Sequence, residues 1–214
     1  GGANDSSGKG LGVSNELKAS ASGELDNGFT WSYHTELDPA DSTGTTVNDD
    51  SQIVIGMGDL GTIGFFDGEG SLHSNLKWGI GAMGTGNDYA GSVNLQHGAD
   101  IDTEANVQYH TPAGLLPFAL QVKVGYAPNL ADGATNDYKS GGAEQTITNA
   151  GKNATQYNIT ATPIEGLNIG ADYYETGDAL AANQHLESGA AFAQYAIGNF
   201  KLGYGMALHA PVMA

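Results

Sequence analysis

The chain has 214 residues, a formal net charge of −17, 33 Gly, 10 Tyr and no Cys. The missing cysteine excludes a disulfide framework, thiol chemistry and Cys-based metal centres. Its seven basic residues are all Lys, too few against 24 acidic ones for a phosphate-binding nucleic-acid surface. No stretch approaches the roughly 18 consecutive apolar residues that a membrane helix needs.

The elements read off in chain order are strands. From Leu11 to Ser22, Leu11, Val13, Leu17, Ala19 and Ala21 alternate with Ser14, Glu16, Lys18 and Ser20, so one face is apolar and the other polar. Asn27-Gly28 predicts a hairpin turn. After it, Phe29, Trp31, Tyr33 and Thr35 face one way, and Thr30, Ser32, His34 and Glu36 the other. A second pair is built on Ile53, Ile55 and Met57, a turn at Gly58-Asp59-Leu60-Gly61, then Ile63 and Phe65. A third has Ala105, Val107 and Tyr109, a turn near Pro112 to Gly114, then Phe118, Leu120, Val122, Val124 and Tyr126. The fourth runs through Tyr157, Ile159 and Ala161, turns at Pro163 to Gly166, and continues with Leu167, Ile169, Ala171 and Tyr173. The last pairs Ala191, Ala193 and Tyr195 with the series Phe200, Leu202, Tyr204, Met206 and Leu208 across Ile197-Gly198-Asn199.

Long polar links at 38–50, 67–103, 128–153 and 176–186 separate these pairs, so short turns alternate with long loops. Strands strung this way place their tight turns at one end and their long loops at the other, the pattern of an outer-membrane barrel. The face opposite the apolar one carries Ser14, Glu16, Lys18, His34, Glu36, Gln108, His110, Gln121, Lys123, Asn158, Thr160, Asp172, Gln194 and Lys201. An interior of that kind is wet, and the apolar face then meets lipid. Aromatic residues near strand ends, among them Phe29, Tyr109, Tyr126, Tyr173, Tyr195 and Phe200, fit an interfacial girdle. A soluble antiparallel sheet with one solvated face accounts for the same alternation but needs a partner layer for the apolar side.

The segment Ser51 to Phe65, with its Gly-Asp-Leu-Gly-Thr turn, resembles the strand–turn–strand of the general diffusion porins of Gram-negative outer membranes. Ala191 to Tyr204, with Gly-Asn followed by Lys-Leu-Gly-Tyr, is similar to the later hairpins of that family. The resemblance implies a transmembrane, antiparallel, up-and-down β-barrel of the sixteen-stranded type, with about ten strands visible here. By proportion a closed sixteen-stranded barrel takes about 320 residues, so residues 1–214 are expected to be one barrel domain, part of a longer chain. A complete barrel of about ten strands is the other choice. The family's terminal aromatic residue is replaced by Ala214.

The resemblance further implies a homotrimer in the Gram-negative outer membrane, in contact with lipid and lipopolysaccharide, that passes small hydrophilic solutes and ions. In this register 67–103 becomes the loop that folds inward and constricts the pore, carrying Asp67, Glu69, Lys77 and Asp88. The expected pore lining is Glu16, Lys18, His34, Glu36, Lys123, Asp172 and Lys201. The chain lacks the family's wall arginines and the Pro-Glu-Phe stretch of its constriction loop. Wall charges nearly cancel, while the loops are acidic, so mild cation selectivity is expected.

Catalysis is not expected. No Gly-x-Ser-x-Gly elbow occurs, and the strand histidines His34 and His110 fall on the wet face. The six histidines, at 34, 73, 97, 110, 185 and 209, include no pair at metal-binding spacing and are read as solvated groups, with no metal site assigned. Gly84 to Tyr89 resembles a single calcium-binding nonapeptide unit, and Asn48-Asp49-Asp50 in the first loop offers hard oxygen ligands. No cofactor is expected: the acidic loops are read as solvated, with Ca2+ binding there as the alternative. They also motivate the rival reading, a secreted, acidic, calcium-stabilised β-protein such as an adhesin or surface-layer module.

Overall fold

The computed structural model of the chain describes residues 17–37, 48–67, 70, 72, 101, 104–112, 114–128, 153–177 and 185–210. They form ten strands: β1 (Leu17–Glu24), β2 (Thr30–Leu37), β3 (Asn48–Gly56), β4 (Thr62–Asp67), β5 (Asn106–His110), β6 (Gln121–Ala127), β7 (Ala154–Ile164), β8 (Leu167–Thr176), β9 (Glu187–Ile197) and β10 (Phe200–Ala210). Each strand pairs antiparallel with its neighbours in sequence, in the order β1 to β10. The result is an all-β, up-and-down sheet that is not closed: β1 pairs with β2 and β10 with β9, and the two outer strands do not meet. Among the described residues no helix is long and apolar enough to cross a membrane.

The tight connections form where local chemistry asks for them. Gly28 takes φ +81°, a left-handed value that glycine adopts without a steric penalty, and Asn27 Oδ1 accepts the Phe29 N–H at 3.1 Å. β1 ends two residues past the expected boundary, at Glu24, and residues 11–16 lie outside the described part of the chain. The β5–β6 connection differs more. Phe118 and Leu120 continue the alternation of β6 in the sequence, yet strand pairing begins at Gln121. Pro117 starts a single 3-10 turn over Pro117–Ala119, and Phe118 and Ala119 both take positive φ. Proline has no N–H for a ladder bond, so the turn displaces the start of the strand.

Register fixes the two faces. One continuous row pairs Gly23, Trp31, Ile55, Ile63, Tyr109, Val124, Tyr157, Tyr173, Gly189 and Leu208. Next to it Tyr33, Ile53, Phe65, Val107 and Tyr126 share the same face. Many of these side chains are open to the surroundings, most of all on β10, where Leu202 is 66% and Tyr204 71% exposed. The row starts beside the turn end of β1 and finishes near the loop end of β10, so each hairpin is displaced the same way along its neighbour. For this reason Trp31, Tyr109, Tyr157 and Tyr173, though joined by one pairing row, stand at different distances from the turn ends of their strands.

The small buried core lies on the opposite, polar face. Leu72 and Ile101 are fully buried there with Ala127, Ala154, Tyr174 and Leu186. Gly125 makes the room, since a Cβ at that position would meet the side-chain tips of both Ile101 and Leu72. Two aromatic residues, Phe66 and Phe192, also occupy this face, each lying over a glycine of its own or the adjacent strand (Gly64 and Gly170). The face is therefore polar but not uniformly so.

Candidate functional site

The polar face carries two clusters of functional groups. The first spans β1 to β3. Lys18 is in register with Glu36, and Glu36 with Asp50, so three charged residues stand abreast on neighbouring strands. Lys18 Nζ lies 2.8 Å from Glu36 Oε2. One step along, Ser20, His34 and Gln52 are in register, and Ser20 Oγ is 2.9 Å from His34 Nδ1. Alternation places His34 and Glu36 on one face, two residues apart. The ligand atoms of His34, Glu36 and Asp50 all lie within 4.8 Å of one another. Glu36 and Asp50 are buried, and Asp50 Oδ1 accepts no hydrogen bond although the residue makes other interactions. An open cleft of about 540 Å³ lies beside His34, with Ser20, Ser22, Ser32 and Gln52 among its lining residues and Ala21 and Tyr33 completing it.

The second cluster spans β5 to β8. His110, Lys123, Asn158 and Asp172 fall in one register row. Gln156 Nε2 donates to Asp172 Oδ1 at 3.0 Å and Oδ2 at 3.1 Å, and Asn158 Nδ2 donates to Oδ2 at 3.3 Å. Gln156 Oε1 accepts the Ile101 N–H at 3.1 Å, which carries the network into the segment that enters β5. Asn106 Nδ2 donates to the carbonyls of Ile101 and Glu104, at 3.0 and 2.9 Å. Gln108 Nε2 donates to Asn106 Oδ1 and to the Gly70 carbonyl, while its Oε1 accepts from His110 Nε2 at 2.9 Å. Buried polar groups are thus linked from β5 to β8, across four strands, with Asn158 Oδ1 left without a hydrogen bond; such linkage is the condition under which a polar face can be partly covered. Gly70, Leu72 and Ile101, the described residues of 67–103 beyond β4, are fastened to this face.

The structure accordingly brings Lys18, His34, Glu36, Lys123, Asp172 and Lys201 to one face of the sheet, but in separate groups. Lys18, His34 and Glu36 meet. Lys123 stands one row step from Asn158 and two from Asp172, and Lys201 lies at the turn end of β10 opposite Ala196. Glu16, Glu69, Lys77 and Asp88 lie outside the described residues. Asp67 is the last residue of β4, in register with Ser51, and therefore stands at the loop-side margin of the apolar face. Glu175 and Glu187 occupy the same margin, where the Tyr173 hydroxyl donates to Glu187 at 2.9 Å and Glu175 at 3.3 Å.

The expected acidic loop at Asn48-Asp49-Asp50 is a strand: these residues open β3. The reason is pairing, since Asp50 lies across from Glu36 and Asn48 from Leu37, with a bulge between Glu36 and Leu37 absorbing the misfit. Searching for spaced histidines missed the first cluster. Its signal was mixed, a His-x-Glu on one strand facing an Asp on the next. No protein-family model matches the chain, and neither does any curated protein.

Proposed function

We propose that the chain forms the wall of a water-filled outer-membrane channel for passive diffusion of small hydrophilic solutes and ions, and that it is not an enzyme. The observation that carries this reading is the apolar face: it is continuous across ten strands, and no described element covers it. A soluble protein that displayed Tyr33, Ile53, Phe65, Tyr109, Tyr157, Leu202, Tyr204 and Met206 on one surface would aggregate or associate through it. In a bilayer the same surface faces hydrocarbon, and backbone groups are satisfied by strand pairing.

Strand length and stagger support the reading. β7 to β10 have ten or eleven residues, close to the roughly 9–11 that a tilted strand needs to cross a membrane. The one-way displacement along the pairing row is the stagger that barrel closure requires. Because bare strand edges are costly in lipid, the β1 and β10 edges must be paired there, and a sixteen-stranded barrel of the porin type achieves this with strands beyond these ten. The polar face then lines the lumen, and the segment fastened through Leu72 and Ile101 narrows it.

Purified protein added to a planar bilayer should produce stepwise ohmic conductance. Across a KCl gradient the zero-current potential should have the sign of mild potassium preference, because 24 acidic residues outweigh seven Lys and a cleft of one sign concentrates the opposite ion. The preference should weaken as salt rises, with screening lengths near 8 Å at physiological ionic strength. Absence of conductance from folded, membrane-inserted protein would overturn the channel reading, and chloride preference would overturn the charge argument.

A further inference from the structure

We propose that His34, Glu36 and Asp50 form a binding site for one divalent transition-metal ion, of the Zn2+ or Co2+ kind, on the polar face of β1 to β3. The three donors come from two strands locked in register, so their convergence is set by backbone pairing and not by a chance surface rotamer. One imidazole nitrogen with two carboxylates is a borderline donor set. It suits first-row ions such as Zn2+ and Co2+ and is less suited to Ca2+, which takes six to eight oxygens. Ligands held about 2.1 Å from one ion lie within about 4.2 Å of each other. The observed span of up to 4.8 Å closes by a small side-chain adjustment. The hydrogen bond between Ser20 Oγ and His34 Nδ1 orients the ring: with the Nδ1–H donated to Ser20, Nε2 keeps the lone pair an ion needs, the arrangement an outer-shell partner gives a metal-bound histidine. The cleft walled by His34 and Gln52 gives an ion and its remaining water ligands a way in.

Lys18 is the competitor. Its ammonium sits on Glu36 at 2.8 Å, and an arriving dication must displace it or share the carboxylate. Metal occupancy would therefore release a lysine into the space above the polar face. This makes the site a switch in local charge as well as a ligand site.

The test is titration of the purified full chain with Co2+ followed by displacement with Zn2+, read by calorimetry and by the cobalt d–d absorption. One saturable site per chain is expected, emptied of cobalt by stoichiometric Zn2+ and unaffected by excess Ca2+. His34→Ala and Glu36→Gln should each weaken binding at least tenfold. Lys18→Met should strengthen it, and His185→Ala, which removes the separate His185–Glu187 pair, should leave it unchanged. Circular dichroism confirms the sheet in every variant, and Asp50→Asn stands in for any that fails to fold. Lack of a saturable site would overturn the proposal, as would binding that survives loss of both His34 and Glu36, or equal affinity for Ca2+. None of these outcomes depends on whether the protein conducts.

Discussion

Gly125 is the residue on which the inner face turns. Its missing side chain admits the tips of Ile101 and Leu72, both fully buried, and that contact fastens the two ends of the long segment to the sheet. Gly125→Val should overpack this spot and cost about 1–3 kcal/mol in denaturant unfolding. In bilayers, if the proposed channel is narrowed by the segment between Leu72 and Ile101, the same variant should conduct more than the parent. Adding Ile101→Ala should recover part of the stability by freeing volume. A Gly125→Val protein with parental stability and conductance would show that the anchor does not form. Nothing in the sequence pointed to this contact. Leu72 and Ile101 sit in stretches with no strand periodicity, and the residues clustered with them, Gly125, Ala127, Ala154, Tyr174 and Leu186, come from separate parts of the chain. His34, Glu36 and Asp50 were hidden for a related reason: their grouping depends on which strand lies beside which, and on the uninterrupted register from the Thr30–Gly56 pair to the Glu36–Asp50 pair.

Strands were the most legible level. Phe200 to Leu208 alternates without interruption, and β10 runs from Phe200 to Ala210 in full register with β9. Alternation does not by itself say where pairing stops. In Phe118 and Leu120 the apolar period runs on through a segment that Pro112 and Pro117 keep out of the ladder, because a strand's period is a property of side chains while its limits depend on backbone N–H groups. The two faces of β10 give an unequal pair of substitutions. Tyr204→Arg places a charge on the apolar face and should cost about 2–4 kcal/mol of folding stability in lipid if it lies near the midplane, whereas Gly203→Arg, on the polar face, should cost far less. Equal costs in a vesicle-based unfolding titration would mean that β10 does not have one lipid-facing side.

At the scale of the molecule, ten strands share one sidedness and one direction of stagger. Sequence periodicity conveys the first, since each hairpin shows its own alternation. Stagger is invisible there, because it lives in the offsets between strands: Gly23 lies near a turn and Leu208 near a loop, yet one pairing row joins them. The central claim is that the odd face of β7 and the even face of β10 touch lipid while their opposite faces touch water. The chain has no cysteine, so single introduced thiols report without background. The most direct measurement is labelling by a membrane-impermeant, water-soluble maleimide of single cysteines at 159, 160, 203 and 204 in protein reconstituted into vesicles. The account predicts that 160 and 203 react and that 159 and 204 are protected until the bilayer is dissolved in detergent and the protein is unfolded by denaturant. Equal labelling at all four positions, or protection at 160 and 203 instead, would contradict it.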